Sequence, residues 1–156
     1  MACQQEETEP RRRWMAVLAR ASSVEIERYL DAAPTLPPHV RLRGPETGLI
    51  MVRGRAGGAG APFNLGEMTI TRCSVRMEGS AGAPLIGHAH VAGRDAAQAE
   101  LAARLDAGLQ DPALRDFLLE RVIAPLAAEQ AERREAIASR AAATRVQFFT
   151  MATMRS

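Results

Sequence analysis

The residues with the clearest chemical potential lie in the stretch RAGGAGAPFNLGEMTITRCSVRM, which runs from Arg55 to Met77. Glycines at its start can leave backbone N–H groups free to form a nest that binds an anion. Further along, Arg72 and Arg76 carry planar guanidinium groups that donate paired hydrogen bonds to phosphate or carboxylate. Because side chains alternate along a strand, these two arginines share one face. The opposite face is predicted to point inward and carries Thr69, Thr71, Cys73, Val75 and Met77. The stretch predicts a surface that binds phosphate or phosphonate, with a solvated face or an interface as the alternative.

The three glycines also have a simpler explanation. Gly57, Gly58 and Gly60 would let a wide hairpin adopt positive φ at no steric cost. They precede a strand and not a helix, so a Rossmann-type nucleotide loop is not indicated. All twenty basic residues of the chain are arginine, and the lack of lysine excludes a P-loop and a Schiff-base lysine. We therefore interpret the glycines as a turn first and a ligand loop second.

The histidines do not predict a metal site. His88 and His90 project from the same face of one strand, which suits a metal ion. A zinc site needs three or four ligands, however, and His39 is the only histidine left. Glu67 or Glu100 would have to complete the set through the tertiary fold. We expect no bound metal and no cofactor, and no Ser–His–Asp order or nucleophile elbow is visible.

The motif G-R-D places Arg94 and Asp95 where a helix begins. Asp95 suits the N-cap position, where its carboxylate accepts a backbone N–H bond. Arg94 is a third arginine able to contact an anionic substrate or an acidic partner surface. The candidate substrate- or partner-binding residues are Arg55, Gly57, Gly58, Gly60, Asn64, Glu67, Arg72, Arg76, Arg94, Asp95 and Glu100.

The elements that must position these residues follow from hydrophobic periodicity. Segments with a period of two occupy the centre of the chain and are bracketed by segments with a period of 3.6. This pattern predicts an α+β fold: two short N-terminal helices, an antiparallel sheet of about four strands, and C-terminal helices with an extended arm. The predicted strands cover residues 39–43, 49–55, 68–77 and 85–91, and the turn GPETG joins the first two. We expect a disordered tail over residues 1–9 and one domain over residues 10–156.

Local capping signals set several predicted helix ends. Pro10 suits the first turn of the first helix, where its missing N–H costs nothing. Ser22 and Glu25 form an S-x-x-E capping box for the second helix. Asp111 before Pro112 is a favourable N-cap and N1 pair for a later helix.

The C-terminal segment predicts an arm. Beyond Pro125 the sequence is helical but carries charges on most faces, and it then ends in VQFFTMATM. We expect Phe148, Phe149 and Met151 to bind another subunit, with the charged helix as the spacer that carries them there. The alternative is a strand or clasp that folds back on the chain's own sheet.

Composition excludes several classes of function. A formal net charge of +2 over 156 residues is too small to indicate a nucleic-acid-binding protein. The N-terminal sequence MACQQEETEP lacks the apolar run of a signal peptide, and no apolar stretch approaches the roughly 20 residues that span a bilayer. We expect a cytoplasmic protein.

Three blocks of sequence resemble one known family. They are ETGLIMVRGRAGGAGAPFNLGEMTITRCSVRM, HVAGRDAAQAE and TRVQFFTM, and they resemble the PhnG subunit of the bacterial carbon–phosphorus lyase system. RRRWMAVLARA is similar to that family's first helix, so the likeness runs from about Arg12 to Met151. Two features depart from the family: Gln98 replaces the histidine of GRD-x-x-HAE, and the chain ends in ATMRS. The first departure weakens any proposal that this histidine is a shared catalytic group.

The resemblance implies a function that spacing could not reveal. Proteins of the PhnG type act with PhnI, PhnH and PhnL to join ATP to methylphosphonate, with release of adenine. They also belong to a core assembly with PhnH, PhnI and the radical lyase PhnJ. The resemblance gives no catalytic residue in PhnG itself. Three hypotheses follow: a subunit of the phosphonate-ribosylating complex, an independent phosphate-handling enzyme, or a purely structural assembly module.

Overall fold

The computed structural model of the chain describes residues 3–31, 35–56 and 60–145. The elements are α1 (Cys3–Leu18), α2 (Ser23–Leu30), β1 (His39–Arg55), β2 (Pro62–Glu78), β3 (Pro84–Ala92), α3 (Ala96–Gly108), α4 (Pro112–Leu118) and α5 (Ala124–Ala143), with a π-helical turn at Leu119–Ile123. The three strands form one antiparallel sheet in the order β1-β2-β3. The predicted α+β class is confirmed, with three strands in place of about four.

The strand count differs because β1 is continuous where we expected two strands and a turn. Register shifts between Arg41 and Arg43, and again between Arg43 and Glu46, absorb the segment that contains Gly44 and Pro45. β1 lies at the edge of the sheet, where a proline interrupts the strand at little cost because its missing N–H can face away from the ladder. The predicted GPETG turn is therefore wrong: the segment is an irregularity within one long strand.

The hairpin between β1 and β2 extends further than predicted. β2 begins at Pro62, opposite Arg55, so residues 62–67 are strand where a loop was expected, with a register shift that leaves Leu65 without a partner in β1. At the turn, the Gly60 N–H donates to the Ala56 carbonyl at 3.1 Å. Gly57 and Gly58 lie outside the described residues, so their predicted role stays a prediction.

Helix α3 covers one face of the sheet. Thr71, Cys73, Val75 and Met77 of β2 are buried, which confirms the predicted inward face. The helix packs very closely at Gly87 of β3, since a Cβ atom there would lie 1.9 Å from the Ala103 carbonyl oxygen. The many alanines of α3 allow this approach because small side chains let the helix backbone come near the strand.

The predicted caps are present, but the start of α1 differs from the prediction. Ser22 and Glu25 form the capping box of α2, and the Asp111 side chain accepts the Ala113 N–H at the start of α4. α1 begins at Cys3 and contains Pro10, so the prediction that the helix opens at Pro10 is wrong. The helix continues through the proline at the loss of one backbone hydrogen bond.

The last described helix leaves the core. Leu126 and Gln130 near the start of α5 are buried, whereas residues 131–145 are exposed throughout. This part of the helix therefore buries no side chain on the described part of its own chain, and it contacts α2 through Arg133 Nη2, 2.7 Å from Glu25 Oε1. No described helix combines the length and apolar character needed to cross a membrane.

Candidate functional site

The sheet face opposite α3 carries the most concentrated set of polar side chains. In an antiparallel sheet, directly opposed residues project from the same side. The register therefore aligns three rows across β1, β2 and β3, namely Glu46–Arg72–His90, Arg43–Ser74–His88 and Val40–Arg76–Ile86. We call this set of nine residues the open face. The open face carries three arginines and two histidines but one glutamate, so the charge of this face favours an anionic partner.

The ion pairs on the open face are weak enough to be exchanged. Arg72 Nη2 lies 3.3 Å from Glu46 Oε2, and Arg43 Nε lies 3.4 Å from the same oxygen. All three side chains are about half exposed, and exposed pairs of this kind contribute about 0–1 kcal/mol. Arg72 can therefore exchange Glu46 for a phosphate or a carboxylate at little cost.

Ser74 and His88 form a hydrogen-bonded pair on the same face, with Oγ and Nδ1 2.9 Å apart. A serine nucleophile also needs a base that is oriented by a third group. Within the described residues, the bonds of the His88 ring give no such carboxylate; Asp106 accepts the His88 backbone N–H instead. Nor do the described residues assemble a group of three potential metal ligands. The pair is suited to hydrogen bonding with a ligand and not to acyl transfer.

The glycine-rich turn and the arginine pair lie far apart. Arg55, Asn64 and Glu67 are exposed on the distal part of the β1–β2 hairpin. Eight residues separate Asn64 from Arg72, and at about 3.4 Å per residue this is about 27 Å. Asn64 and the arginine surface therefore cannot share one small ligand.

Of the predicted site residues near α3, Asp95 and Glu100 contact other secondary-structure elements. Asp95 caps α3 through the Gln98 N–H and accepts the Ser23 hydroxyl at 2.9 Å, which ties α3 to α2. These bonds, above all the one from the Gln98 N–H, lower the pKa of Asp95. Arg94 beside it is exposed.

Glu100 joins α3 to the first residues of β1. It accepts two hydrogen bonds from Arg41, at 2.9 and 2.8 Å, and lies 2.9 Å from His39 Nε2. The pKa of Glu100 is lowered, chiefly by the Arg41 hydrogen bonds. With its oxygens occupied in this way, Glu100 is placed to hold the sheet against the helix.

Asp106 is a buried carboxylate that sequence reasoning missed. Its oxygens accept Arg11 Nε and Nη2 at 3.1 and 2.7 Å, Trp14 Nε1 at 2.9 Å and the His88 backbone N–H at 2.9 Å. The side chain has no exposed surface. Asp106 thus joins α1, α3 and β3 directly behind the open face. The available signal was a charged residue next to Leu105, on a helix whose other buried positions are apolar except for Gln98.

Gln98, at the position where the resembled family has histidine, is also buried. Its amide Nε2 donates to the carbonyls of Leu18 and Ala19, both at 3.3 Å. The side chain fastens α3 to the end of α1 on the covered side of the sheet. This position contributes to packing in this chain.

Known proteins match this chain over nearly its full length. A protein-family model described as "Phosphonate metabolism protein PhnG" matches residues 9–154. A protein of Rhizobium meliloti (strain 1021) is 49% identical over 144 residues, which cover 90% of this chain and 87% of the relative. That relative is named "Alpha-D-ribose 1-methylphosphonate 5-triphosphate synthase subunit PhnG".

Proposed function

The chain belongs to the PhnG family of phosphonate metabolism proteins, and we propose that it is the PhnG subunit of an alpha-D-ribose 1-methylphosphonate 5-triphosphate synthase. The observation that carries this proposal is the 49% identity to the Rhizobium meliloti subunit across 90% of the chain. In the proposed reaction, the triphosphoribosyl group of ATP is transferred to methylphosphonate and adenine leaves. The reaction uses ATP, so we place the complex in the cytoplasm.

We propose that the chain supports a site shared with other subunits and does not catalyse the reaction alone. The polar groups of the open face are exposed, and the Ser74–His88 pair lacks an orienting carboxylate among the described residues. Such groups can bind and orient an anion, but they do not form an assembled acid–base or nucleophilic centre. The proposed partners are PhnI, PhnH and PhnL for the transfer step and PhnJ within the core assembly.

Reconstitution tests the proposed function directly. PhnI, PhnH and PhnL are combined with ATP and methylphosphonate, with and without this chain, and adenine release is measured. Release that depends on the chain is expected. Equal release in its absence would contradict the role of synthase subunit. The chain alone is expected to show no micromolar affinity for ATP in calorimetry, and such affinity would favour an independent enzyme.

Arg72, Arg76 and Arg94 are the proposed contacts with an anionic substrate or an acidic partner. Each is replaced by glutamine, which removes the charge and retains a hydrogen-bonding side chain. Because hydrogen bonds to charged groups contribute about 1.5–3 kcal/mol, loss of a real contact should reduce assembly or adenine release at least tenfold. Arg121→Gln, at an exposed helical position, is the matched control. Parental activity and assembly in all three variants would remove these arginines from the proposal.

The exposed end of α5 supports a role in assembly. Ile137 is 60% exposed within the uncovered segment 131–145. Phe148, Phe149 and Met151 follow this segment and lie outside the described residues. We propose that the helix carries them to a partner subunit, where burial of aromatic side chains would anchor the complex.

Deletion from Val146 onward distinguishes this arm from a clasp on the chain's own sheet. The expected result is loss of complex formation with an unchanged urea midpoint of the chain. A lowered midpoint would show that the segment belongs to the chain's own core.

A further inference from the structure

Exposed apolar side chains are concentrated on the end of the β1–β2 hairpin. We define residues 49–55 and 62–68 as the distal hairpin. Six of the eleven exposed large hydrophobic side chains in the described part of the chain lie on it: Leu49, Ile50, Met51, Phe63, Leu65 and Met68. A concentration of exposed apolar side chains of this kind indicates an interaction site.

The rest of the sheet does not support the distal hairpin. β3 ends at Ala92, which pairs with Ile70, so the sheet has two strands beyond this point. A two-stranded hairpin is at best marginally stable in water without a third strand or a packed helix. The hairpin nevertheless stays paired to the Arg55–Pro62 pair, with one register shift between Val52 and Arg53. This pairing favours an external surface that covers it.

Both faces of the distal hairpin are apolar. Ile50 and Met68 are paired and project from one side, and Leu65 is also on this side because it lies over Gly54, where a Cβ would be 2.6 Å from Leu65 Cδ1. Leu49 alternates with Ile50 and projects from the other side, where it is 63% exposed. A flat partner surface could cover one of these faces only. Two apolar faces fit a cleft with two walls.

The charge of β1 argues against a second copy of the chain as the partner that covers the distal hairpin. Antiparallel pairing of two β1 edges would bring the arginines of one copy near those of the other, since each strand carries one glutamate and four arginines: Arg41, Arg43, Arg53 and Arg55. Like charges that are directly opposed across strands are destabilising. The same arginines favour an acidic surface, and Arg53 and Arg55 lie next to the described end of the hairpin.

We propose that the distal hairpin inserts into an apolar cleft of a partner subunit, with acidic side chains of the partner facing Arg53 and Arg55. The inference rests on the proposed function, because the synthase supplies the partner. The walls of the cleft contact the Leu65 side and the Leu49 side of the hairpin at the same time. The hairpin then fixes the position of the open face relative to the partner.

Single substitutions on each face test the insertion in the full chain combined with PhnI, PhnH and PhnL. Leu65→Ser and Leu49→Ser change one face each, and Val24→Ser is the control at an apolar position of α2 that is 72% exposed. Each hairpin variant is expected to weaken association by about tenfold or more, while Val24→Ser binds like the parent chain. The urea midpoints of all variants should match the parent, since these side chains are exposed.

Charge reversal tests the acidic part of the cleft. Arg53→Glu and Arg55→Glu are each expected to weaken association at least tenfold, with the loss reduced at high salt because ions screen exposed charges. Arg121→Glu is the matched control. Association equal to that of the parent in both variants would overturn the acidic contact.

Several results would overturn the proposal that the distal hairpin inserts into a cleft. Parental affinity in both Leu65→Ser and Leu49→Ser would remove the hairpin from the interface, and loss in only one variant would indicate a flat surface. A dimer of the isolated chain in sedimentation that Leu65→Ser converts to a monomer would assign the surface to a second copy. Adenine release separates these outcomes from failure of the proposed function. If the parent chain does not restore adenine release, the proposed function is wrong. If parent and variants restore release with the same half-saturating concentration of chain, only the proposed cleft is wrong.

Discussion

Asp106→Asn is expected to destabilise the folded chain strongly, because one buried carboxylate joins three elements. Its two oxygens accept four hydrogen bonds, two from Arg11, one from Trp14 and one from the His88 backbone. Asparagine has the same shape but keeps one acceptor oxygen, so its amide N–H groups must face two of the four donors. Each lost bond to a charged group costs about 1.5–3 kcal/mol. Because Arg11 is one-third exposed and regains water, we expect a total of about 3–4 kcal/mol.

Urea unfolding followed by the fluorescence of Trp14, the one tryptophan of the chain, measures this loss. With a slope of about 2 kcal/mol per molar urea, the midpoint should fall by about 1.5–2 M. Asp116→Asn, at an exposed position of α4, should stay within about 0.5 kcal/mol of the parent. Trp14→Phe removes one donor and also the fluorophore, so this variant and the double variant are followed by far-UV circular dichroism; its effect should not add fully to that of Asp106→Asn. A loss below about 1 kcal/mol in Asp106→Asn would refute the view that this carboxylate holds α1 on the sheet.

Three further predictions concern other buried positions. Gly87→Ala should destabilise the chain by several kcal/mol in the same urea assay, because its Cβ would lie 1.9 Å from the Ala103 carbonyl oxygen; a parental midpoint would contradict the close packing of α3. The pKa of Asp111 is lowered, chiefly by the Ser80 hydroxyl. Its stabilisation is thus complete above about pH 5 and is lost as the pH falls below about 3.9 through the folded pKa. Asp111→Asn should flatten the acid side of the plot of urea midpoint against pH, and an unchanged slope would exclude this contribution. Burial raises the pKa of Cys73, so iodoacetamide at pH 8 should label it in urea but not in the folded chain, and rapid labelling of the folded chain would show that β2 is accessible there.

The sequence predicted those parts of the fold that depend on neighbouring residues only. The alternation from Thr71 to Met77 identified the inward face of β2, and the side chains of Ser22 and Asp111 identified helix starts, because these effects act within a few residues. The continuity of β1 through Gly44 and Pro45 could not be read in this way. A proline is tolerated in a strand when the strand lies at the edge of a sheet, and the edge is a property of the assembled sheet.

The sequence predicted part of the candidate site, because the alternation of side chains along a strand is also a local effect. Alternation placed Arg72 and Arg76 on one face, but the register across three strands is needed to bring His88 and His90 beside them. Asp106 was missed because its hydrogen-bond partners in α1 lie 92 and 95 residues away in sequence.

The open face and the distal hairpin form one continuous surface, and this continuity bears on how the arginines work. Ile50 and Met68 lie on the same side of the sheet as Arg72, so a partner that covers the distal hairpin also removes water next to the open face. In water, Arg72 gains little from Glu46 because the pair is exposed. Coulomb interactions strengthen several-fold as the effective dielectric constant falls, so the same guanidinium binds an anion more strongly once the partner is docked. On the proposed docking, the site is incomplete in the chain alone, and anion affinity at Arg72 is expected to rise upon assembly and to be lost together with hairpin docking in Leu65→Ser.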